Sequence, residues 1–248
     1  MNFIESLLDE KTASQWADQG SDEWEKIRLG RFTASEMFRL MECGKRPMTP
    51  EELKARPKSG KGSQTTLVPD PSKMGPKGIK YIREKVWEAL TGKQVWQSYA
   101  YPLVYGKEQE PFAVECFEQR TGLKCDTTGF HAYTDHAGGT PDRLIGDKEG
   151  LEVKCPSSEE QVNYLMLNDL WDLKGEYPNH YWQCVSLLVF TTRDKWHFCT
   201  FDPRMMQEKH QLSHIEIPAD KVEEDMDAVG KAIEGAVTEK LKLLQLLG

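Results

Sequence analysis

Two short apolar segments with charged residues at fixed positions limit the fold of this 248-residue chain more than any other feature. Pro141-Asp142 leads into the first segment, and Glu152-Val153-Lys154 lies in the second, after the turn Gly146–Gly150. Such a turn predicts an antiparallel hairpin, which can bring Asp142 close to Glu152. Because side chains alternate along a strand, Glu152 and Lys154 share one face, about 6.6 Å apart. Val153 then points into the core, while its carbonyl stays available at the strand edge.

This arrangement of residues fits the hydrolysis of a phosphodiester. Two carboxylates held together repel each other, and a bound cation removes that repulsion. A few oxygen ligands with open positions suit Mg²⁺ better than zinc. The lysine can orient an attacking water or neutralise charge in the transition state. The alternative is a surface hairpin in which Asp142, Glu152 and Lys154 form ordinary cross-strand ion pairs.

The order of the predicted elements indicates an α/β (α+β) fold, with a central mixed β-sheet flanked by helices, in a single domain over 1–248. Tyr181–Thr191 is strongly apolar and is compatible with either a buried helix or a strand. The predicted helices are Phe3–Ala17, Trp24–Leu29, a helix from the capping-box sequence Thr33–Glu36 to Met41, Ile79–Leu90, Val104–Arg120, Glu159–Leu170 and an amphipathic helix from Val222 to Leu244. The predicted strands are Leu123–Tyr133, Arg143–Ile145, Leu151–Cys155, Lys195–Phe201 and Ile215–Ile217.

Charge is distributed unevenly along the chain. The formal net charge is −8, yet the segment 44–83 holds ten cationic and three acidic residues, a net charge of +7. Two interpretations stay open for this segment: a solvated loop that is basic by chance, or an arm that attracts phosphates. Its content of Pro, Gly, Ser and Lys predicts that 44–78 is loop-rich.

Cysteine content and hydropathy narrow the class of protein. The six cysteines form no C-x-x-C pair and have no histidine at zinc-finger spacing, so free thiols are expected. No stretch approaches the roughly 20 apolar residues that a membrane span requires. The first ten residues carry acids and no cationic region, which does not fit a signal peptide. We expect a cytoplasmic protein.

Several stretches resemble a known family in the same order along nearly the whole chain. Pro141-Asp142 followed by Glu152-Val153-Lys154 is similar to the motif of the PD-(D/E)XK nucleases. The remaining stretches resemble the bacteriophage lambda exonuclease family of viral recombinases. They are Trp24–Gly30, Thr33–Glu36, Tyr105–Glu110, Gly150–Pro156, Gln183 and Asp202–Met205.

The resemblance implies a Mg²⁺-dependent 5′→3′ exonuclease that acts on linear double-stranded DNA. It also implies two Mg²⁺ ions, which Mn²⁺ can replace, and a homotrimeric ring around the DNA. Such an enzyme leaves 3′ single-stranded tails for a single-strand annealing protein. The implied location is the cytoplasm of a bacterial host, with the gene carried by a phage or prophage.

The resemblance also implies roles for individual residues. Asp142, Glu152 and the Val153 carbonyl correspond to metal ligands, Lys154 to the catalytic lysine, and Glu110 to the helix carboxylate that completes the metal site. Gln183 corresponds to a glutamine beside that site. Arg28, Ser35 and Thr140 correspond to the part that holds DNA and its 5′-phosphate, and Leu103 to a wedge that separates the strands. The chain departs from the family at Glu159 and Glu160, where a cationic residue is expected.

Four of these residues also have ordinary structural explanations. Arg28 can form a surface salt bridge with Glu25 or Asp22, and Ser35 can be a simple helix cap. Glu110 can be a favourable charge near a helix N-terminus. Gln183 can hydrogen-bond internally.

Two other functions stay open. An endonuclease of restriction or repair type could use the same core, and a catalytically idle DNA-binding subunit could keep the fold. A sugar- or nucleotide-handling enzyme is disfavoured, since no Gly-rich phosphate loop follows a strand.

Overall fold

The computed structural model describes residues 21–55, 66–95 and 101–248, with the side chains of 101–103 excepted. The predicted helix Phe3–Ala17 lies outside the described residues. The helices are α1 (Asp22–Arg28), α2 (Phe38–Met41), α3 (Pro50–Ala55), α4 (Pro76–Thr91), α5 (Tyr101–Thr121), α6 (Glu160–Leu165), α7 (Leu170–Glu176), α8 (Pro178–Thr191), α9 (Glu208–Gln211) and α10 (Glu223–Leu247). The strands are β1 (Phe32–Thr33), β2 (Cys43–Pro47), β3 (Leu67–Met74), β4 (His131–Thr134), β5 (Ala137–Gly139), β6 (Arg143–Ile145), β7 (Glu149–Lys154), β8 (Lys195–Phe201) and β9 (Leu212–Pro218).

The main sheet has the strand order β6-β7-β8-β9 and is mixed. β6 pairs antiparallel with β7, and β8 with β9. β7 and β8 pair in parallel, with Glu152 opposite Phe198. A parallel pair requires a long crossover. Here α6, α7 and α8 supply that crossover, and they carry the chain from one end of β7 back to the start of β8.

The sheet separates two hydrophobic layers. On one face, Trp196 and Phe198 of β8 pack with Leu187 and Leu188 of α8. On the other face, Leu151 and Val153 of β7, together with Cys199, pack with Phe117 of α5. Helices therefore cover both faces of a mixed sheet, which confirms the predicted fold class.

A small three-stranded sheet, β1-β5-β4, supports the start of the described chain. Gly30 precedes it with φ of +71°, a conformation that favours glycine. The Gly30 N–H donates to Oε2 of Glu88 at 2.9 Å, and its carbonyl accepts from Nζ of Lys240 at 2.7 Å. Both charged side chains are buried. One peptide turn is thereby fixed by residues from α4 and α10, and this turn positions α1.

The loop-rich prediction for 44–78 is wrong over most of the described part. β2 and β3 form an antiparallel ribbon there, followed by the first turn of α4, and α3 lies between the two strands. Pro69 and Pro71 in β3 favoured a loop, but a two-stranded ribbon has free edges where proline loses no ladder bond. Part of the basic charge is compensated locally, since Arg46 binds both oxygens of Glu52 at 2.7 and 2.8 Å.

The predicted capping-box helix from Thr33 is also wrong. Thr33 makes no side-chain cap, and Ala34–Glu36 forms a 3₁₀ turn before the separate short helix α2. The reason is the buried Tyr81, whose hydroxyl accepts from the Thr33 N–H at 2.8 Å and contacts its Oγ1 at 3.3 Å. Thr33 is thereby engaged by α4 instead of capping a helix.

Two further boundaries differ from the prediction. The predicted helix Glu159–Leu170 ends early, since α6 stops at Leu165. Leu170 begins the separate helix α7, which Asp169 caps by accepting from the Trp171 and Asp172 N–H groups. The predicted strand Leu123–Tyr133 is reduced to β4, with one isolated bridge between Asp126 and Leu144. Strands β1 and β5 were not predicted, since they are very short and β5 is glycine-rich.

Other predictions are confirmed. α1, α4, α5, β6, β7, β8 and α10 lie close to their predicted ranges, and the ambiguous apolar stretch is the helix α8. All six cysteines lie in described ranges and are free. Among the described helices, none combines the length and apolar character that crossing a bilayer demands.

The contact between β7 and β8 generates a stability prediction. Gly150 lies opposite the fully buried Trp196, and a Cβ at Gly150 would overlap the indole ring. We expect Gly150→Ala to lower the free energy of unfolding by about 1–3 kcal/mol, measured by urea denaturation. Gly235→Ala is the control, because a Cβ there meets open space on α10. An unchanged stability of Gly150→Ala would show that the sheet can move away from the ring.

Candidate active site

The carboxylate of Glu152 lies at the centre of the site. Glu152 is in β7 and is 1% exposed. Its Oε1 accepts from Nζ of Lys154 at 2.6 Å and from Nε2 of Gln183 at 2.5 Å. Its Oε2 is buried and has no hydrogen-bond partner among the residues that the structure describes. Oε1 of Glu152 is therefore held by two donors, while Oε2 is free to bind a cation or a hydrogen-bond donor.

Asp142 lies directly before β6 and is joined to β7 through the backbone. Its Oδ2 accepts from the Val153 N–H at 2.7 Å. This bond fixes the carboxylate of Asp142 beside that of Glu152, as the predicted hairpin required. Desolvation and the charge of Glu152 raise the pKa of Asp142 to about 7.

The charge of Lys154 balances the pair. Burial by itself lowers the pKa of Lys154, but the carboxylates of Glu152 and Asp142 outweigh this effect and raise it. The ammonium group therefore stays charged at neutral pH. Desolvation also raises the pKa of Glu152, against the opposing effect of Lys154. Two acids and one cation leave the site with an unbalanced negative charge when both acids are ionised.

A third carboxylate, that of Glu110 in α5, approaches the same centre. Desolvation and the charge of Asp142 raise its pKa, and Arg143 opposes that shift. Arg143 Nη1 donates to Oε1 of Glu110 at 2.8 Å and also to the backbone carbonyl of Asp142. Glu110 is in the third turn of α5, too far from the helix N-terminus for a favourable interaction with the helix dipole to explain its position.

An open cavity of about 190 Å³ joins these residues to the start of the described chain. Arg28 of α1 lies over the ring of Trp24 at 3.9 Å, a cation–π contact. The indole N–H of Trp24 donates to Oγ1 of Thr140 at 2.8 Å. The cavity is lined by Trp24, Arg28, Thr33, Ala34, Ser35, Gly139, Thr140, Asp142, Glu152, Lys154 and Gln183.

This donor set fits a divalent cation. The unpartnered Oε2 of Glu152 and the raised pKa of Asp142 have the same cause, which is negative charge held away from water. A hard cation with oxygen ligands relieves both. The residues that would hold it are Asp142, Glu152 and the main chain of Val153, with Glu110 at the side.

The structure brings together most of the residues that the sequence singled out. Asp142, Glu152, Lys154 and Gln183 are in direct or adjacent contact, and Arg28, Ser35 and Thr140 line the same cavity. Glu110 is one salt bridge away, through Arg143. The role of the Val153 carbonyl as a metal ligand stays a prediction. The side chain of Leu103 lies outside the described part.

Two residues of the site, Trp24 and Arg143, were given no role in the sequence analysis. Trp24 precedes Arg28 by four residues, which is the spacing that places two side chains on one face of a helix. Arg143 directly follows Asp142, and only the fold reveals that it reaches Glu110. At the departure from the family, Glu160 accepts from the Tyr177 hydroxyl at 2.7 Å, while Glu159 is exposed.

Crystal structures of two exonucleases share this fold. The alkaline exonuclease LHK-Exo from Laribacter hongkongensis matches with a TM-score of 0.67 at 21% identity, over 92% of this chain and 96% of that one. Its complex with dAMP gives the same values. A phage-related exonuclease from Haemophilus somnus 129PT matches with a TM-score of 0.63 at 12% identity, over 88% and 96%. At sequence identities this low, the structural similarity shows a shared fold alone.

The family follows from the sequence. Residues 23–194 match the YqaJ-like viral recombinase domain, and the chain belongs to this family. No functionally curated protein matches it. The resemblance to the lambda exonuclease family is thereby confirmed. Membership of this family, together with the fold of alkaline exonuclease, supports a DNA exonuclease.

The raised pKa of Asp142 generates a prediction about pH. Between its ordinary pKa and about 7, folded Asp142 keeps a proton that the unfolded chain loses. The stability of the metal-free protein should therefore fall as the pH rises through this window, and stay low above it. Asp142→Asn has no carboxyl group to titrate at this position. In urea denaturation with a chelator, we therefore expect Asp142→Asn to gain stability relative to the parent as the pH rises from 3.8 to about 7, with no further gain above that pH.

Divalent cations provide the control for this prediction. Added Mg²⁺ should restore the stability of the parent above pH 7, where Asp142 is ionised, and should do little for Asp142→Asn. Parallel pH profiles for the two proteins in chelator would contradict the coupling between Asp142 and Glu152.

Proposed function

We propose that this protein is a Mg²⁺-dependent exonuclease that degrades one strand of linear double-stranded DNA in the 5′→3′ direction. It leaves 3′ single-stranded tails for recombination by strand annealing. The observation that carries the proposal is the single cavity in which Asp142, Glu152 and Lys154 meet the Arg28 side chain. Two carboxylates thus share one small space with a guanidinium that would bind a phosphate.

The acidic centre would hold the cation. Asp142, Glu152, the Val153 carbonyl and Glu110 supply oxygen ligands of the kind that Mg²⁺ prefers and Mn²⁺ accepts. When bound, one or two such ions polarise the scissile phosphate and lower the pKa of water. Nη1 of Arg143 lies 2.8 Å from Oε1 of Glu110, and this salt bridge keeps the third carboxylate near Asp142.

Lys154 and Gln183 orient the reacting groups. Nζ of Lys154 shares Oε1 of Glu152 with the Gln183 amide, so the two donors fix the carboxylate from opposite elements, β7 and α8. The ammonium group also faces the cavity, where it can stabilise negative charge that develops on the phosphate. Glu152 thereby fixes the positions of Lys154 and Gln183 beside the attacking water.

Arg28, Ser35 and Thr140 form the part of the cavity suited to a terminal phosphate. A guanidinium held over the Trp24 ring is preorganised to donate to two phosphate oxygens. The hydroxyl of the exposed Ser35 lines the same space. That LHK-Exo has been crystallised with dAMP agrees with a nucleotide site in this fold. An end-recognising pocket favours an exonuclease over an endonuclease.

The assembly and the partner are proposed from the family. A homotrimeric ring would enclose the DNA, and a single-strand annealing protein would take up the tail. The setting is the cytoplasm of a bacterial host. The wedge role of Leu103 belongs to the same proposal.

The substrate test separates the possible functions. Purified protein with Mg²⁺ should shorten an end-labelled linear duplex from its 5′ ends and leave a covalently closed circle intact. Asp142→Ala should abolish the shortening, because it removes a metal ligand. Cleavage of the circle would indicate an endonuclease on the same core. If neither DNA is cut with Mg²⁺ or Mn²⁺, a DNA-binding subunit becomes the better explanation.

Lys154 is tested by its effect on turnover. We expect Lys154→Ala to lower kcat by about 10²-fold or more, because a charged donor to the transition state is lost. DNA affinity, measured by fluorescence anisotropy, should change by only about a few-fold, since Arg28 and the basic segment 44–83 stay intact. Lys148→Ala is the matched control, because Lys148 is exposed in the turn before β7. Equal turnover in the two variants would remove Lys154 from the mechanism.

A further inference from the structure

A second cluster of ligating side chains lies on the opposite face of the main sheet. The rings of His197 in β8 and His214 in β9 pack edge-on against Phe117 of α5. Together with Glu216 of β9, they each have one potential ligand atom within 4.8 Å of the others. Glu149 of β7 completes the cluster. Glu149 is three residues before Glu152, about 10 Å along the strand, and its side chain leaves the other face. The cluster is therefore separate from the nuclease centre.

The hydrogen bonds of His197 determine which of its nitrogens is protonated. Nε2 of His197 lies 2.6 Å from Oε2 of Glu149, a pair in which the ring nitrogen must donate. In the neutral ring Nδ1 then carries the lone pair, and it lies 2.8 Å from Nε2 of His214, which donates to it. A metal ion has to replace the proton between these two nitrogens. A carboxylate that fixes the far nitrogen of a histidine is the usual second partner of a metal-binding imidazole.

The other two groups offer matching donor atoms. Nε2 of His214 lies 2.8 Å from Nδ1 of His197, so one ion can reach both rings. Oε1 of Glu216 lies 3.9 Å from Nδ1 of His197, and its side chain is half exposed, which gives access from solvent. Two imidazoles and one carboxylate are thus directed toward one point at the sheet edge.

Lys195 does not occupy that point. Its ammonium group lies 3.3 Å from Oε2 of Glu216 and 4.0 Å from Oε1 of Glu149, the oxygens that face away from His197. The inner oxygens stay directed at the imidazoles. Lys195 and Arg120 together balance the two carboxylates, so no excess positive charge at the cluster opposes a cation.

We propose that His197, His214 and Glu216 form a binding site for Zn²⁺, with Glu149 as the residue that orients His197. Two imidazoles and one carboxylate are ligands that zinc prefers and that Mg²⁺ does not. Tetrahedral Zn–N bonds of about 2.0–2.1 Å place the two nitrogens about 3.3 Å apart. His214 therefore has to move by about 0.5 Å, and Glu216 closes from the solvent side. The ion joins β8 to β9 and completes its coordination with water.

Calorimetry with ZnCl₂ on the full-length protein tests the site, with saturating Mg²⁺ present to occupy the acidic centre. We expect one Zn²⁺ per chain at the cluster. His214→Gln should abolish this binding, and Glu149→Gln should weaken it about 10–100-fold through the orientation of His197. His210→Gln is the matched control, because His210 is exposed in α9 and outside the cluster. Mg²⁺-dependent nuclease activity serves as the check that each variant folds.

Two results would overturn the proposal. The first is equal Zn²⁺ affinity in His214→Gln and the His210→Gln control, which would leave the imidazoles as a hydrogen-bonded pair. The second is a Co²⁺ spectrum with thiolate charge-transfer bands, which would assign the ion to cysteines. If His214→Gln does not fold, the exposed Glu216→Gln replaces it, and unchanged affinity in that variant would have the same meaning.

Discussion

The burial of the Glu152 carboxylate is the constraint on which the rest of the structure depends. An ionised carboxylate away from water costs several kcal/mol unless charged and polar partners offset it. Lys154 comes from the same strand, and Gln183 comes from α8 across the sheet. The offset is lost if β7 and α8 shift relative to each other. The tight packing of α8 on Phe198 and Trp196 is therefore a requirement of the chemistry as well as of the fold.

β7 serves different purposes on its two faces. Glu152 and Lys154 face the cavity, while Leu151 and Val153 face α5 in the second hydrophobic layer. The Val153 N–H fixes Asp142, so even a core residue contributes to the site through its backbone. A substitution in β7 consequently alters packing and chemistry together. Activity measured on such a variant has to be read beside its stability.

Local sequence predicted the chemical centre well because the hairpin geometry depends on residues close together in the chain. Asp142, Glu152 and Lys154 follow from a turn and the two-residue period of a strand. The contact of Gln183 with Glu152 came from family resemblance, since nothing local relates residues 31 positions apart. The capping box predicted a helix from Thr33 that does not form, because the Thr33 N–H donates to the hydroxyl of Tyr81, 48 residues away. Short elements such as β1 and β5 carry too few residues for a pattern.

The turn at Gly30 has a consequence for biosynthesis. Nζ of Lys240 and the Gly30 carbonyl are 210 positions apart in the chain, and together with Glu88 they hold the turn that carries Trp24 and Arg28. A ribosome completes α10 long after α1 and the acidic residues have emerged. The side of the cavity formed by Trp24 and Arg28 is therefore unbraced on the nascent chain until α10 docks. A partly synthesised chain carries the acidic residues before the cavity of the folded protein is complete.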